Sequence, residues 1–195
     1  RFKPRHGERN YGEMLAHFED YTDIVGDHPQ NLGATTLAFN AYALTGRECY
    51  RQWLLEYVDA WRQRTRDNGG IIPTKIGLDG RIGGPQDKWY GGVYGWGVTV
   101  VVPQNGQLAN RNTHYIGLLG LANALLLTGD LSYTDVWSQM IDAINNQARE
   151  IDGRILYPHM HGDEGWYAHS ASPYSYGALE LYYGSLEERD RQRLG

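Results

Sequence analysis

A repeat restricts the fold of this chain more than any other feature: Thr45-Gly46 returns as Thr128-Gly129, at a sequence offset of 83 (128 − 45 = 83). An Ala- and Leu-rich segment precedes each Thr-Gly pair, at residues 32–44 and 115–127. An amphipathic segment follows each pair, at residues 48–66 and 133–149. A helix that is apolar on all sides is typically buried, whereas one apolar stripe is typical of a surface helix. The repeat therefore predicts helical hairpins, each with a buried inner helix and an outer amphipathic helix.

A third copy begins at residues 175–184, where Gly184 follows Gly129 at an offset of 55 (184 − 129 = 55). The first offset is the larger by 28 (83 − 55 = 28), and the extra length is a loop insertion rich in glycine and aromatic residues. Long connections of this kind inside a compact domain are usually functional or disordered. We expect the loop, residues 69–114, to form the wall of a binding cleft. The substrate-binding residues predicted in it are Trp89, Tyr90, Tyr94 and Trp96.

The charge and composition exclude several classes of protein. The formal net charge is −5 and the 18 basic residues are scattered along the sequence, which argues against a nucleic-acid partner. The sequence contains no apolar run of roughly 18 residues, so we expect no membrane association. The 15 tyrosines and 6 tryptophans greatly outnumber the 3 phenylalanines. Rings with a polar group suit half-exposed sugar sites better than dry cores.

The cysteine content and the chain ends say little about location. Cys49 is the only cysteine, so no intramolecular disulfide can form. No signal peptide or anchor is visible, and the chain starts at Arg1 rather than at a methionine, which is consistent with processing or truncation. We expect a secreted or periplasmic protein that needs no cofactor.

The Thr-Gly corners of the repeat and the run Trp89-Tyr90-Gly91-Gly92-Val93-Tyr94-Gly95-Trp96-Gly97 resemble the six-hairpin glycosidase and polysaccharide-lyase type of α/α toroid. The resemblance covers residues 11–195. It implies an all-α fold, in which an α-hairpin repeat forms part of an (α/α) toroid and carries a long aromatic and glycine-rich loop insertion. Only two hairpins and part of a third fit in this length. We therefore expect residues 1–195 to be a single, incomplete toroid domain that associates with the rest of its own toroid.

The repeat also predicts which polar residues lie at the same end of the helical array. Counting by the two offsets aligns Asn31 with His114 (31 + 83 = 114) and with His169 (114 + 55 = 169), each just before or at the start of an inner helix. Equivalent positions in successive hairpins face the same end of a stack. Further candidates for substrate contact are His28 and Tyr174 near this end, and Trp166 in the loop after Asp163-Glu164. Ordinary helix capping would explain Asn112-Thr113 and Ser170-Ala171-Ser172 equally well.

The resemblance implies a polysaccharide or oligosaccharide substrate that is cleaved by β-elimination next to a uronate carboxylate. In such lyases Asn112 or Arg111 would neutralise the carboxylate, and His114 would remove the neighbouring proton as the base. Tyr115 or Tyr94 would then protonate the leaving oxygen, with His169 as a further member of the catalytic group. Histidine suits the role of base because its pKa lies near neutral pH.

The sequence raises three alternatives, of which the first and the third remain open. A glycoside hydrolase would need two carboxylates, and the candidate acids in loops are Asp163 and Glu164, with Asp27 and Asp87 as further candidates. His159, His161 and Asp163 alternate along the chain and have the residue types of a metal site, but so short a pattern is common, and we predict no metal. The third alternative is a non-catalytic helical-repeat protein that binds other proteins.

Overall fold

The computed structural model describes residues 9–19, 26–90 and 114–194 of the chain. Its helices are α1 (Tyr11–Glu19), α2 (Thr35–Thr45), α3 (Glu48–Asp67), α4 (His114–Thr128), α5 (Ser132–Asn145), α6 (Ala178–Ser185) and α7 (Glu188–Arg191). Short 3-10 helices cover Pro29–Ala34, Gly84–Gln86 and Gln192–Leu194. The strands are β1 (Arg149–Ile151), β2 (Arg154–Leu156), β3 (Met160–Gly162) and β4 (Gly165–Tyr167). None of the described helices is both long enough and apolar enough to cross a membrane.

The all-α fold class predicted from the sequence, and with it the partial (α/α) toroid, is wrong. Strands β1 and β2 form one antiparallel pair and β3 and β4 form another, so the described chain is a mixed α and β structure. The outer helix predicted to reach residue 149 ends at Asn145, and Arg149 opens a strand instead. The cause is local, because Asp152 and Gly153 both have positive φ angles, of 53° and 72°. A two-residue Asp-Gly turn of this kind closes a tight β-hairpin.

The first two helical hairpins are confirmed, and their corners have the same geometry. Gly46 has a φ of 65° and donates its N–H to the Tyr42 carbonyl at 2.8 Å. Gly129 has a φ of 70° and donates its N–H to the Leu125 carbonyl at 2.7 Å. These bonds satisfy the carbonyls left free at the end of an α-helix, and glycine adopts the left-handed conformation without steric cost. The spacing between the two Thr-Gly pairs therefore describes a real structural repeat.

The third corner lies later than the sequence alignment predicts. Helix α6 runs past Gly184, and Leu186 takes the left-handed corner position, with a φ of 54° and its N–H donated to the Tyr182 carbonyl at 2.7 Å. The corner offset is therefore 57 (186 − 129 = 57) and not 55. The predicted equivalence of His169 with His114 is wrong for this reason, since the corrected offset aligns His114 with Ala171 (114 + 57 = 171).

The hydrophobic core lies mainly between the outer helices and the inner helix α4. Helix α3 buries Leu54, Val58 and Trp61, and α5 buries Trp137, Met140, Ile141 and Ile144. The prediction of largely buried inner helices fails for α2, where the buried residues are Thr35 and Ala38. Leu37 and Leu44 on this helix are 74% and 86% exposed. The described neighbours of α2 cover one side of the helix only.

Candidate functional site

Four rings from distant parts of the chain come together beside the second β-hairpin. We call Trp89, Tyr90, His161 and Trp166 the aromatic platform. The His161 ring lies 4.7 Å from Trp89, 4.6 Å from Tyr90 and 4.9 Å from Trp166, measured between ring centroids. The two tryptophan rings are 6.2 Å apart. All four residues are partly exposed, so the platform combines contact with the core and access to solvent.

The hairpin places two of these rings by its register. His161 and Trp166 are directly opposite each other on β3 and β4, so their side chains extend from the same face of the sheet. Asp163 and Glu164 form the two-residue turn between the strands, and Gly165 follows with a φ of 89°. Because side chains alternate along a strand, the buried Met160 points to the core while its neighbour His161 points outward.

The other two rings are attached by hydrogen bonds at the end of the preceding described segment. The Trp89 carbonyl accepts from the Thr74 backbone N–H at 2.7 Å and from the Thr74 hydroxyl at 2.9 Å. The Tyr90 hydroxyl donates to Asp163 Oδ1 at 3.0 Å, and Lys88 Nζ donates to the same oxygen at 2.7 Å. Lys88, Tyr90 and Asp163 thus form a polar edge along one side of the platform.

Hydrogen bonds and burial shift the pKa values of the groups around the rings. The hydrogen bond from Lys88 holds the pKa of Asp163 below its usual value, and the same bond raises the pKa of Lys88. Burial lowers the pKa of His161, and the buried Nδ1 of its ring has no hydrogen-bond partner among the described residues. Glu164 is exposed next to Asp163 and adds a second carboxylate to the same turn.

The pKa shift of Asp163 bears on its role as one of the two alternative acids, the other being Glu164. A hydrolytic general acid needs a raised pKa so that it keeps its proton near neutral pH. Asp163 has the opposite shift and is engaged by Lys88 and Tyr90. Asp163 therefore suits a role as a fixed hydrogen-bond acceptor better than a role as a proton donor.

A second group of rings adjoins the platform along β3. The rings of His159, Tyr174 and Tyr176 lie 5.1 to 6.3 Å apart. Tyr174, predicted to bind substrate, is fully buried, and its backbone is held by the side chain of Asn145 through bonds of 2.8 and 3.0 Å. Because a fully buried ring presents no face to a ligand, Tyr174 acts in this position as a support for its neighbours. His169 lies beyond β4, partly buried, and its Nε2 has no partner among the described residues.

The predicted contact residues near the N-terminal end belong to a separate network. Asn31 Nδ2 donates to Asp27 Oδ1 at 2.9 Å, and the same carboxylate accepts from Tyr57 Oη at 2.7 Å and from Trp61 Nε1 at 3.1 Å. Arg64 Nη1 adds an ion pair with Asp27 at 3.4 Å. Burial lowers the pKa of the neighbouring His28. Asp27 and Asn31 therefore connect residues 27–34 with α3, which is a structural role.

The predicted lyase group lies almost wholly outside the described residues. Tyr94, Trp96, Arg111 and Asn112 fall in residues 91–113, and only the backbone of His114 and Tyr115 is described, at the start of α4. The described residues contain no group of three side chains able to hold a metal ion. His159 and His161 instead contact different sets of rings.

Sequence reasoning finds Trp89, Tyr90 and Trp166 but misses two members of the site. Lys88 precedes the tryptophan directly, and the sequence pattern indicates His161 only as a metal ligand. A signal for His161 is nevertheless present, because His161 alternates with Met160 in front of a Gly-Asp-Glu-Gly turn, a pattern typical of a hairpin strand.

Comparison with known proteins identifies a family but no function. A family model described as Domain of unknown function (DUF8034) matches residues 5–155, and the chain belongs to this family. No curated protein and no solved structure matches the chain. Lys88, Trp89 and Tyr90 lie inside the matched region, whereas His161, Asp163 and Trp166 lie beyond it.

Proposed function

We propose that this DUF8034 member is a carbohydrate-active enzyme that holds a sugar chain on the aromatic platform. The observation that carries the proposal is the joining of Trp89, Tyr90, His161 and Trp166 into one partly exposed cluster with a polar edge. Sugar rings present apolar C–H faces and a rim of hydroxyl groups. An aromatic surface next to fixed hydrogen-bond partners matches both properties.

The polar edge supplies the partners that sugar hydroxyls need. Asp163 is an ionised acceptor, and its Oδ1 is held in place by Lys88 and Tyr90. Lys88 remains half exposed and keeps N–H groups free to donate, since an ammonium carries three. Each of these groups is already ordered by protein contacts, which lowers the entropic cost of binding.

The charge of the platform supports a neutral sugar at this position. Lys88 is the cation of the edge, and it faces Asp163 and the exposed Glu164, so the turn has an excess of negative charge. A uronate would bring another carboxylate towards these two. The uronate lyase chemistry stays a prediction that depends on Arg111, Asn112 and His114.

A binding screen tests the proposal directly. The purified chain is titrated calorimetrically with neutral polysaccharides (cellulose, xylan and mannan derivatives) and with polygalacturonate and alginate. We expect a neutral polymer to bind and Trp166→Ala to weaken its binding by roughly 10-fold or more, because base–aromatic stacking on other proteins is worth about 1–3 kcal/mol per ring and sugar stacking involves similar areas. Tyr183→Ala is the matched control, since Tyr183 is an exposed ring on α6.

The same samples separate binding from a purely structural role of the rings. If Trp166→Ala lowers the free energy of unfolding and the folded fraction binds sugar as tightly as the wild type, the platform only anchors the hairpin. Cleavage is read in parallel: elimination leaves an unsaturated product that absorbs in the near ultraviolet, and hydrolysis leaves reducing ends without that chromophore. If elimination is observed, His114→Ala should lower turnover roughly 10²–10⁴-fold, the usual contribution of a general base.

A further inference from the structure

The outward face of β3 continues from the aromatic platform to a second concave surface. His159 and His161 flank the buried Met160, so both imidazoles lie on the partly exposed side. The ladder extends to His159, whose N–H is donated to the Tyr167 carbonyl at 3.3 Å. At about 3.3 Å per residue the two histidine backbones are roughly 7 Å apart. The His159 ring is therefore the next side chain along the platform.

Beyond His159 lies an open pocket of about 360 Å³, between the segment after β4 and the start of α6. The residues that line it include His159, Ser172, Ser175, Tyr176, Leu179 and Glu180. His159 Nε2 lies 3.1 Å from the Ser172 carbonyl, and since a carbonyl only accepts, this nitrogen carries the proton and the ring orientation is fixed. An aromatic residue, hydroxyl-bearing residues and one carboxylate again give the chemistry that a sugar ring requires.

The walls of this pocket are held by the core and need no ligand to form. Trp137 Nε1 donates to the Tyr176 carbonyl at 3.1 Å. The adjacent Gly177 has a φ of 75°, and a Cβ there would lie 2.9 Å from Trp137 Nε1. The buried ring of Tyr174 contacts both His159 and Tyr176, with centroid distances of 5.8 and 5.1 Å. Contacts with these buried residues therefore fix the position of Tyr176 relative to His159.

We infer that the pocket beside Tyr176 is a second sugar subsite, and that the ligand of this chain is an oligosaccharide lying along β3 from Trp166 to Tyr176. The inference rests on the proposed function, because it extends the ligand already assigned to the platform. A single sugar ring fills the platform or the pocket, and only a linked chain fills both. An anionic ligand is disfavoured in the pocket as well, because Glu180 lines it and no lysine or arginine is among the described lining residues.

The test is a length series on four proteins. Cello-, xylo- and manno-oligosaccharides from the monosaccharide to the hexasaccharide are titrated into the wild type, Trp166→Ala, Tyr176→Ala and Ser175→Leu. Ser175 lines the pocket and is exposed, and its side chain makes no hydrogen bond within the described chain, so Ser175→Leu narrows the pocket while leaving the core contacts of Tyr176 in place. Tyr183→Ala is again the control.

For one of the three series we expect the wild-type affinity to rise by about tenfold, or about 1.4 kcal/mol, at the length that reaches the second subsite. Ser175→Leu and Tyr176→Ala should bind short oligosaccharides like the wild type and lose the rise. Trp166→Ala should weaken binding at every length. The second subsite would be overturned if affinity did not depend on oligosaccharide length, or if both pocket variants kept the rise in affinity. Neither result would contradict the proposed binding at the platform. No binding of any series or polysaccharide would overturn the proposed function together with this inference.

Discussion

Removing the Asp27 carboxylate is the sharpest test of how this fold is held together. Its two oxygens accept hydrogen bonds from Asn31, Tyr57, Trp61, Arg64 and the His28 backbone N–H. The Asp27 backbone also exchanges two hydrogen bonds with Ile76, of 2.8 and 2.7 Å. One residue therefore joins three parts of the chain that are distant in sequence.

The expected loss of stability follows from the number of hydrogen-bond donors that Asp27→Ala would leave without an acceptor. Breaking a buried charged pair by deleting one partner costs about 3–5 kcal/mol, because the remaining groups lose their acceptor in a site with little water. The Asp27 side chain is 23% exposed, so water replaces part of what is lost. We therefore expect a loss near the lower limit, about 3 kcal/mol of unfolding free energy. In a chain of this size that lowers the melting temperature by roughly 6–12 °C.

Urea denaturation followed by tryptophan fluorescence measures the effect, with Trp61 as a reporter in direct contact with the carboxylate. Asp67→Ala is the matched control, since Asp67 is an exposed aspartate at the end of α3 that accepts one hydrogen bond from Gln63. The control should change stability by no more than about 0.5 kcal/mol. The central role given to this carboxylate would be refuted if Asp27→Ala lost as little unfolding free energy as the control, while the slope of that free energy against urea concentration stayed unchanged.

Three further predictions concern other parts of the fold. Asp190 is fully buried and accepts from Ser138, Ser185 and Arg193, so Asp190→Ala should lower the unfolding free energy by about 3 kcal/mol in urea titration and expose α7 to limited proteolysis. Gly177→Ala should destabilise more than Gly46→Ala in thermal denaturation, since both strain a left-handed residue by about 1–2 kcal/mol and Gly177 also meets Trp137. Burial raises the pKa of Tyr57, so as the pH rises the unfolded state loses this proton before the folded state does. Stability should therefore fall above pH about 10, and it should fall less steeply in Tyr57→Phe.

The helical hairpins could be predicted because their signals are local. The Gly46 and Gly129 corners need a residue that adopts positive φ at no cost, and glycine after an apolar segment is a reliable marker of such a corner. The hairpin of β1 and β2 also has a local signal, Asp152-Gly153 between two short β-prone segments. The repeat conceals that signal, because it aligns Gly153 with Gly70. A repeat reports a shared pattern, and the two copies are free to differ in the segment that follows the outer helix.

The third corner and the platform could not be read from the sequence, because both depend on tertiary contacts. Leu186 adopts a left-handed conformation that a leucine avoids, while the neighbouring Ser185 donates to the buried Asp190 at 2.6 Å. The nearby Gly184 does not mark the corner, because it lies within α6 and faces Leu125. Likewise nothing local relates Trp89 to His161, which lie far apart in the sequence. The sequence shows that the aromatic residues are of types that often bind ligands. It does not show that they lie together in the fold.

The apolar sequences of the inner helices predict how much surface each helix can bury. They do not predict which neighbours cover that surface. Helices α2, α4 and α6 have almost no charged residues, and this pattern predicts that they are buried on all sides. Within the described chain α3 and α5 cover one side, and Leu44, Leu126 and Tyr183 remain at least 70% exposed on the other. The Asn123 amide shows that adjacent inner helices do pack, since it donates to Thr35 and Thr36 on α2. Hydrophobicity sets the free energy available from burial, whereas the position of each apolar face relative to its neighbours decides how much of it is realised.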